Sequence, residues 1–223
     1  MNEGDFVSLE AAAAALGVSV RHARRLTNSG RLTRVARGLL DRDSVDRYLM
    51  SQRQGRTRAW AEHTAWGAIT VLSGGRADWL GPTQTSRIRS TLRKLTDPSE
   101  LSARVRDRAH VRVFTAHRAA LPRLRTAVVC PDMGALGIVD INEDHLDGYI
   151  ATHRLDNIIR TLGLRAAPSG NVTLRVTDFD FEQVGKLAST SAVVAALDAA
   201  TALDPRIRGV GQRALTEMLE AYR

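Results

Sequence analysis

With 223 residues, 43% of them apolar, the chain has room for a module of about fifty residues and one ordinary domain with a real core. A single cysteine, Cys130, excludes an internal disulfide and any multi-cysteine metal site. The net charge of +8 is unevenly placed: 11 basic and 6 acidic residues fall in 1–58, 12 and 5 in 59–130, and 9 and 13 in 131–223. That gradient suits a polyanion at one end and a different partner at the other. The acidic opening Met1-Asn-Glu-Gly-Asp5 does not read as a secretory leader. The longest nearly uncharged stretch, 192–203, is too short for a bilayer and carries Asp198. The expectation is a cytoplasmic, nucleoid-associated protein with no membrane partner.

From the N-terminus, Ser8 is placed to cap a helix with Leu9, Ala12, Ala13 and Leu16 at i, i+3, i+4 and i+7. Small alanines let a second helix approach closely. Gly17 supplies the break, Val18 an apolar plug, and Ser19 the cap of a second helix. On that helix Ala23 and Leu26 mark the inner stripe, while Arg21, Arg24, Arg25 and Asn28 share the opposite arc, with His22 at the flank. Guanidinium forks match guanine O6 and N7, and an Asn amide matches adenine. Ser19 and the first N–H groups of the helix suit a phosphate. The competing reading is an ordinary solvated face; the agreement of helix, turn and cap favours the specific one.

After Gly30, the run Leu32-Thr-Arg-Val-Ala-Arg-Gly-Leu-Leu-Asp41 reads as two short strands about Arg37-Gly38, which would carry Arg34 and Arg37 to the DNA backbone. Asp43 is then expected to cap a third helix with Val45, Tyr48 and Leu49 on one face and Asp46 completing a capping box. Taken together, Ser8-Leu-Glu-Ala-Ala, Leu16-Gly-Val-Ser-Val-Arg, Arg25-Leu, Ser29-Gly-Arg-Leu, Arg37-Gly, Asp43-Ser-Val and Tyr48-Leu resemble the winged helix-turn-helix of excisionase and MerR-type regulators. No long coiled-coil helix follows, so a MerR-style dimer is not implied, and the oligomeric state stays open.

Polar, basic residues 51–58 read as a linker or as the fraying end of the third helix. A helix is expected over 59–73 with Ala61, Ala65, Ala68, Ile69 and Leu72 on one side, and with Trp60 and Trp66 as core aromatics. Residues 85–95 place Ile88, Leu92 and Leu95 inward and Arg87, Arg89, Arg93 and Lys94 outward. Asp97-Pro98 starts another helix with Leu101 and Val105 buried and Arg104, Arg106 and Arg108 displayed. This second basic cluster reads either as a phosphate-contacting surface or as a solvated face. Strands are expected at 110–115, 126–130 and 172–176, and helices at 156–164, 191–203 and 205–222, the last capped by Asp204. The expected fold is α+β: a winged helix-turn-helix in 1–55, then a larger mixed α+β domain in 59–223.

The two-part architecture is similar to that of AbiE-like antitoxins. Carrying this are Trp66-Gly-Ala, Leu72-Ser-Gly, Arg87-Ile-Arg, Gly170-Asn-Val-Thr-Leu-Arg-Val and Asp204-Pro-Arg-Ile-Arg-Gly. The resemblance implies a sequence-specific repressor that autoregulates its operon and neutralises a nucleotidyltransferase-type toxin. The implied partners are double-stranded operator DNA, expected as an inverted repeat, and the cognate toxin. The alternative within DNA binding is an excisionase-like bending factor, and a small-molecule sensor in 59–223 stands as another.

No enzyme is expected, and no cofactor. Ser169-Gly170 followed by Asp178-Phe-Asp180 resembles a nucleotidyltransferase metal site, but a strand pattern follows where that fold needs a helix. The six histidines show no His-x-x-x-His spacing, and Cys130 reads as a buried thiol rather than a nucleophile. The acids Asp140, Glu143, Asp144 and Asp147 suit either a basic partner or a solvated loop.

Overall fold

The computed structural model describes residues 6–53, 57–139, 143–167, 170–202 and 204–223, with backbone alone at 43, 47 and 50–53. The N-terminal region runs β1 (Phe6–Ser8), α1 (Leu9–Leu16), α2 (Val20–Asn28), β2 (Arg34–Ala36), β3 (Leu39–Asp41) and α3 (Arg42–Arg53). Ser8 Oγ accepts the Ala11 N–H at 3.0 Å, and Gly17 closes α1 in the left-handed region at φ 63°, as its missing Cβ allows. Ser19 Oγ accepts the His22 N–H at 3.2 Å and starts α2. Ala12, Ala13, Ala23 and Leu26 meet in one small core with Leu9, Leu32, Leu40 and Val45.

The expected hairpin forms about Arg37-Gly38, with Gly38 at φ 81°. Strand β1, absent from the sequence reading, pairs antiparallel with β3 and sets the order β1-β3-β2. The cap of α3 is a correction. The helix begins at Arg42, and Asp41 Oδ2 accepts the Ser44 N–H at 2.7 Å. Asp43 therefore lies inside the first turn, and its side chain is outside the described residues. Asp41 wins because it ends β3 in the extended conformation that a cap requires.

The rest of the chain runs α4 (Glu62–Leu72), α5 (Pro82–Lys94), α6 (Pro98–Arg104), β4 (His110–Thr115), α7 (Leu121–Ala127), β5 (Leu146–Ala151), α8 (Thr152–Leu162), β6 (Arg165–Ala166), β7 (Val172–Thr177), α9 (Phe181–Thr190), α10 (Ala192–Ala199) and α11 (Pro205–Tyr222). The sheet order is β5-β7-β4-β6, with β5 and β7 parallel and the other pairs antiparallel. The expected strand at 126–130 is corrected. Leu121, Leu124 and Val128 are buried at helical spacing, so the segment packs as α7 through Ala127. Only Val129 makes a lone bridge, to Tyr149. Strand β5 and helix α9 were not expected, α8 starts at Thr152 rather than 156, and α10 ends at Ala199, with residue 203 outside the described residues.

Alternation along the strands sends neighbouring residues to two different cores. Leu146, Ile150, Val172, Leu174 and Val176 face α7 and α8 on one side, where Leu121, Leu124 and Leu155 pack. Tyr149 faces the other way, towards α4, α5, α6, α9, α10 and α11, in a core that holds Trp66, Leu92, Leu101, Val184, Val194 and Leu215. Trp66 is fully buried and donates its Nε1–H to the Arg108 carbonyl at 3.0 Å, as expected of a core aromatic with a polar edge.

A charged cluster lies on this second face. Arg108 donates to Tyr149 Oη at 3.0 Å and to Asp198 Oδ1, and Tyr149 donates to the same Oδ1 at 2.9 Å. Arg175 grips Asp147 through two bonds of 2.8 Å and reaches Asp198 Oδ1 at 3.2 Å. Two guanidiniums and two carboxylates balance, which lets Arg108, Arg175 and Asp198 be buried between the sheet and α10 while Asp147 stays exposed at the edge of the cluster. Burial pushes the Tyr149 hydroxyl well above the usual phenol range, with Arg108 and Arg175 working against the rise.

The two regions touch. α3 packs against α6, and Arg31, just past α2, lies 3.3 Å from Asp107. Arg106 donates to the Thr57 carbonyl at 3.0 Å and holds the chain that enters α4.

Candidate nucleic-acid interface

Helix α2 follows from its sequence: a serine cap, nine residues without glycine or proline, and an inner stripe of Ala23, Leu26 and Thr27. Thr27 turns its hydroxyl back to the Ala23 carbonyl at 2.9 Å and so buries without an orphaned donor. Opposite that stripe, Arg21, Arg24, Arg25 and Asn28 are all exposed, and His22 is half-buried at the flank. Four polar side chains thus share the solvent arc of one short helix. The Ser19 hydroxyl oxygen is occupied by the cap bond, which leaves its own O–H free to donate outward.

Two contacts organise this face in ways that spacing does not reveal. Arg25 Nη2 sits 2.8 Å from His22 Nδ1, one turn apart. Arg34 Nη2, on β2, donates to Asn28 Oδ1 at 2.9 Å and ties the hairpin to the end of α2. Asn28 Oδ1 therefore already accepts one bond in this state, and pairing with an adenine edge uses its second lone pair or displaces Arg34. Arg37 is exposed at the hairpin turn, beside exposed Val35 and Leu39. A register shift between Arg34 and Ala36 bulges Val35 outward.

The second basic cluster divides. Arg87, Arg89, Arg93 and Lys94 on α5 are exposed, as their spacing predicts. Arg108 is not displayed: it is 5% exposed and held by Asp198 and Tyr149. Its helix ends at Arg104, so the tighter turn at 106–108 points it inward. Arg104 is half-buried, bonded to Glu100 at 2.7 Å and lying over the Trp60 ring at 5.4 Å. Arg106 is spent on backbone carbonyls.

Of the enzymatic candidates, Asp180 serves as the cap of α9, accepting N–H bonds from Glu182 and Gln183 at 3.0 and 3.3 Å. Asp178 is exposed at the end of β7, and Ser169 lies outside the described residues. Among the described residues no cluster of His, Cys, Asp and Glu is placed to hold a metal ion. Cys130 is exposed rather than buried. Its sulfur nonetheless leans on β5, 3.1 Å from where a Cβ on Gly148 would stand. Desolvation and then Asp147 push the thiol up, away from an activated thiolate. Of the acidic group, Asp147 is paired with Arg175 and Asp144 with Arg118 at 3.1 Å, while Asp140 lies outside the described residues.

The sequence model of a family described as "Transcriptional regulator, AbiEi antitoxin" matches residues 1–40, which cover α1, α2, β2 and all but the last residue of β3. That family is one of regulators and antitoxins rather than enzymes. Comparisons with curated proteins and with solved structures return no match. No helix among the described residues is long and apolar enough to cross a membrane.

Proposed function

We propose that the chain is a sequence-specific DNA-binding repressor, the autoregulating antitoxin of a toxin–antitoxin operon with a nucleotidyltransferase-type toxin. In this reading residues 1–55 form a winged helix-turn-helix and residues 59–223 the antitoxin domain. The observation that carries it is the face of α2. Arg21, Arg24 and Arg25 stand exposed on a capped helix whose opposite side is fixed by Ala23 and Leu26, within the 40 residues that match the AbiEi regulator family. Arg21, Arg24, Arg25 and Asn28 read base edges in the major groove, with His22 beside them. Ser19, Arg34 and Arg37 hold phosphates and set the register.

The test uses the full chain and a duplex taken from immediately upstream of its own reading frame, against a random duplex of equal length. Arg21→Ala weakens binding to the upstream duplex by about 1–3 kcal/mol and leaves the random duplex nearly unaffected. Equal losses on both duplexes would remove the base-reading role of α2.

A further inference from the structure

Helix α5 carries four cations and no acid in thirteen residues, Pro82–Lys94. Several guanidiniums elsewhere are ion-paired within the chain: Arg31 with Asp107, Arg76 with Asp78, Arg104 with Glu100, Arg118 with Asp144, Arg175 with Asp147. Among the described residues, Arg87, Arg89, Arg93 and Lys94 are exposed and none of them is ion-paired. The helix is anchored from behind by Ile88 and Leu92, at 3% and 0% exposure, so its outer face is held rather than loose.

At about 100° per residue, Arg89 and Arg93 form one row and Arg87 and Lys94 another. Exposed Thr83, Ser86 and Ser90 lie between the rows. The rows stand roughly a helix diameter apart, about 10–12 Å, which is close to the ~12 Å width of a major groove. Unpaired cations flanking a ridge of hydroxyl donors suit phosphate oxygens, which take both kinds of contact without regard to sequence. Four such cations on a helix without an acid repel one another until a polyanion arrives.

We infer that the outer face of α5 is a second docking surface for the phosphate backbone of duplex DNA, separate from α2 and independent of base sequence. This rests on the DNA-binding reading above and adds to it a contact outside the 40 residues that match the family. Arg104, Arg106 and Arg108 take no part, since each is already bonded within the protein.

The experiment measures binding of a random duplex by the full chain between about 50 and 200 mM salt, where each phosphate contact contributes roughly 0.9 to the slope of log K against log salt. Replacing Arg87, Arg89, Arg93 and Lys94 together by Gln lowers the slope by about 3 to 4 units. A control variant with Arg154, Arg160, Arg206 and Arg213, all exposed, changed to Gln loses the same charge and keeps the slope within about one unit. An α5 variant with an unchanged slope overturns the inference, as does a control that falls equally far. If those outcomes occur while Arg21→Ala still weakens the upstream duplex, the repressor reading stands without α5. If the unaltered chain binds neither duplex, both fall.

Discussion

Asn28 Oδ1 accepts a hydrogen bond from Arg34 Nη2 at 2.9 Å, across the junction between the last turn of α2 and the first strand of the hairpin. The bond joins two elements that the sequence separates by a glycine turn at Gly30, φ 74°. It also makes two residues of the proposed DNA face answer to one another.

The first prediction follows from that link. Arg34→Ala weakens binding to upstream and random duplexes alike and lowers the salt slope by about one unit. Asn28→Ala costs about 1–3 kcal/mol on the upstream duplex alone if its amide meets a base. The double variant departs from the sum of the single losses by at least about 0.5 kcal/mol. Strict additivity in the double-mutant cycle would show that the Asn28–Arg34 bond has no bearing on binding.

The second concerns Arg108 and Asp198. Both side chains are nearly fully buried, at 6% and 1% exposure, and Asp198 Oδ2 has no hydrogen-bond partner among the described residues. Arg108→Met leaves a buried carboxylate short of its nearest cation and costs about 3–5 kcal/mol of stability in urea unfolding. Arg108→Met with Asp198→Leu recovers part of that loss, since the unpaired charge is then gone. A double variant no more stable than the single one would mean that the packing, and not the charge, is what Arg108 supplies.

The third is a pH dependence. Burial raises the Tyr149 hydroxyl above its ordinary pKa. Above pH about 10 the unfolded chain releases this proton while the folded chain keeps it, so the folded state binds more protons there. Stability from this group is fully present below pH about 10 and falls as pH rises beyond it. Tyr149→Phe loses about 1 kcal/mol at neutral pH with its hydrogen bonds, and its stability declines less steeply in alkali. Parallel curves for the two proteins above pH 10 would contradict the assignment.

The fourth tests the helical packing. A Cβ on Gly211 of α11 would stand 2.2 Å from the Ala200 backbone nitrogen and 2.7 Å from the Ala196 oxygen. These are backbone atoms and cannot rotate away. Gly211→Ala forces α11 off α10 and costs about 1–3 kcal/mol or more by thermal or urea unfolding, although alanine is the better helix former by about 1 kcal/mol. A stabilised variant would show that the two helices do not approach so closely.

Local chemistry made the N-terminal region legible. Ser8, Gly17, Ser19 and Gly38 act within a few residues of themselves, so cap, break, cap and turn could be read before any packing was known. The same holds for Asp97 and Asp204, each of which accepts an N–H from its own first turn. Strand β5, by contrast, spells Leu-Asp-Gly-Tyr-Ile-Ala, with an acid and a glycine that disfavour strand on their own. It is a strand because β7 supplies its ladder and Arg175 neutralises its acid. Arg108 departs from its spacing for a related reason: a charged residue spaced like exposed neighbours is drawn inside only by its partners, 41 and 90 residues away.

What the sequence determined alone is the capped helix with its guanidinium-rich side, the turns around it, and the excess of positive charge before residue 131. These depend on hydrogen bonds and periodicities that span one or two turns. Tertiary structure decided which cations remain free for a partner. Four on α5 stay in water, while Arg108 and Arg175 are drawn inside by carboxylates far along the chain. A buried charge is tolerated only beside its counter-charge, and that meeting is fixed by the packing of the sheet against α10.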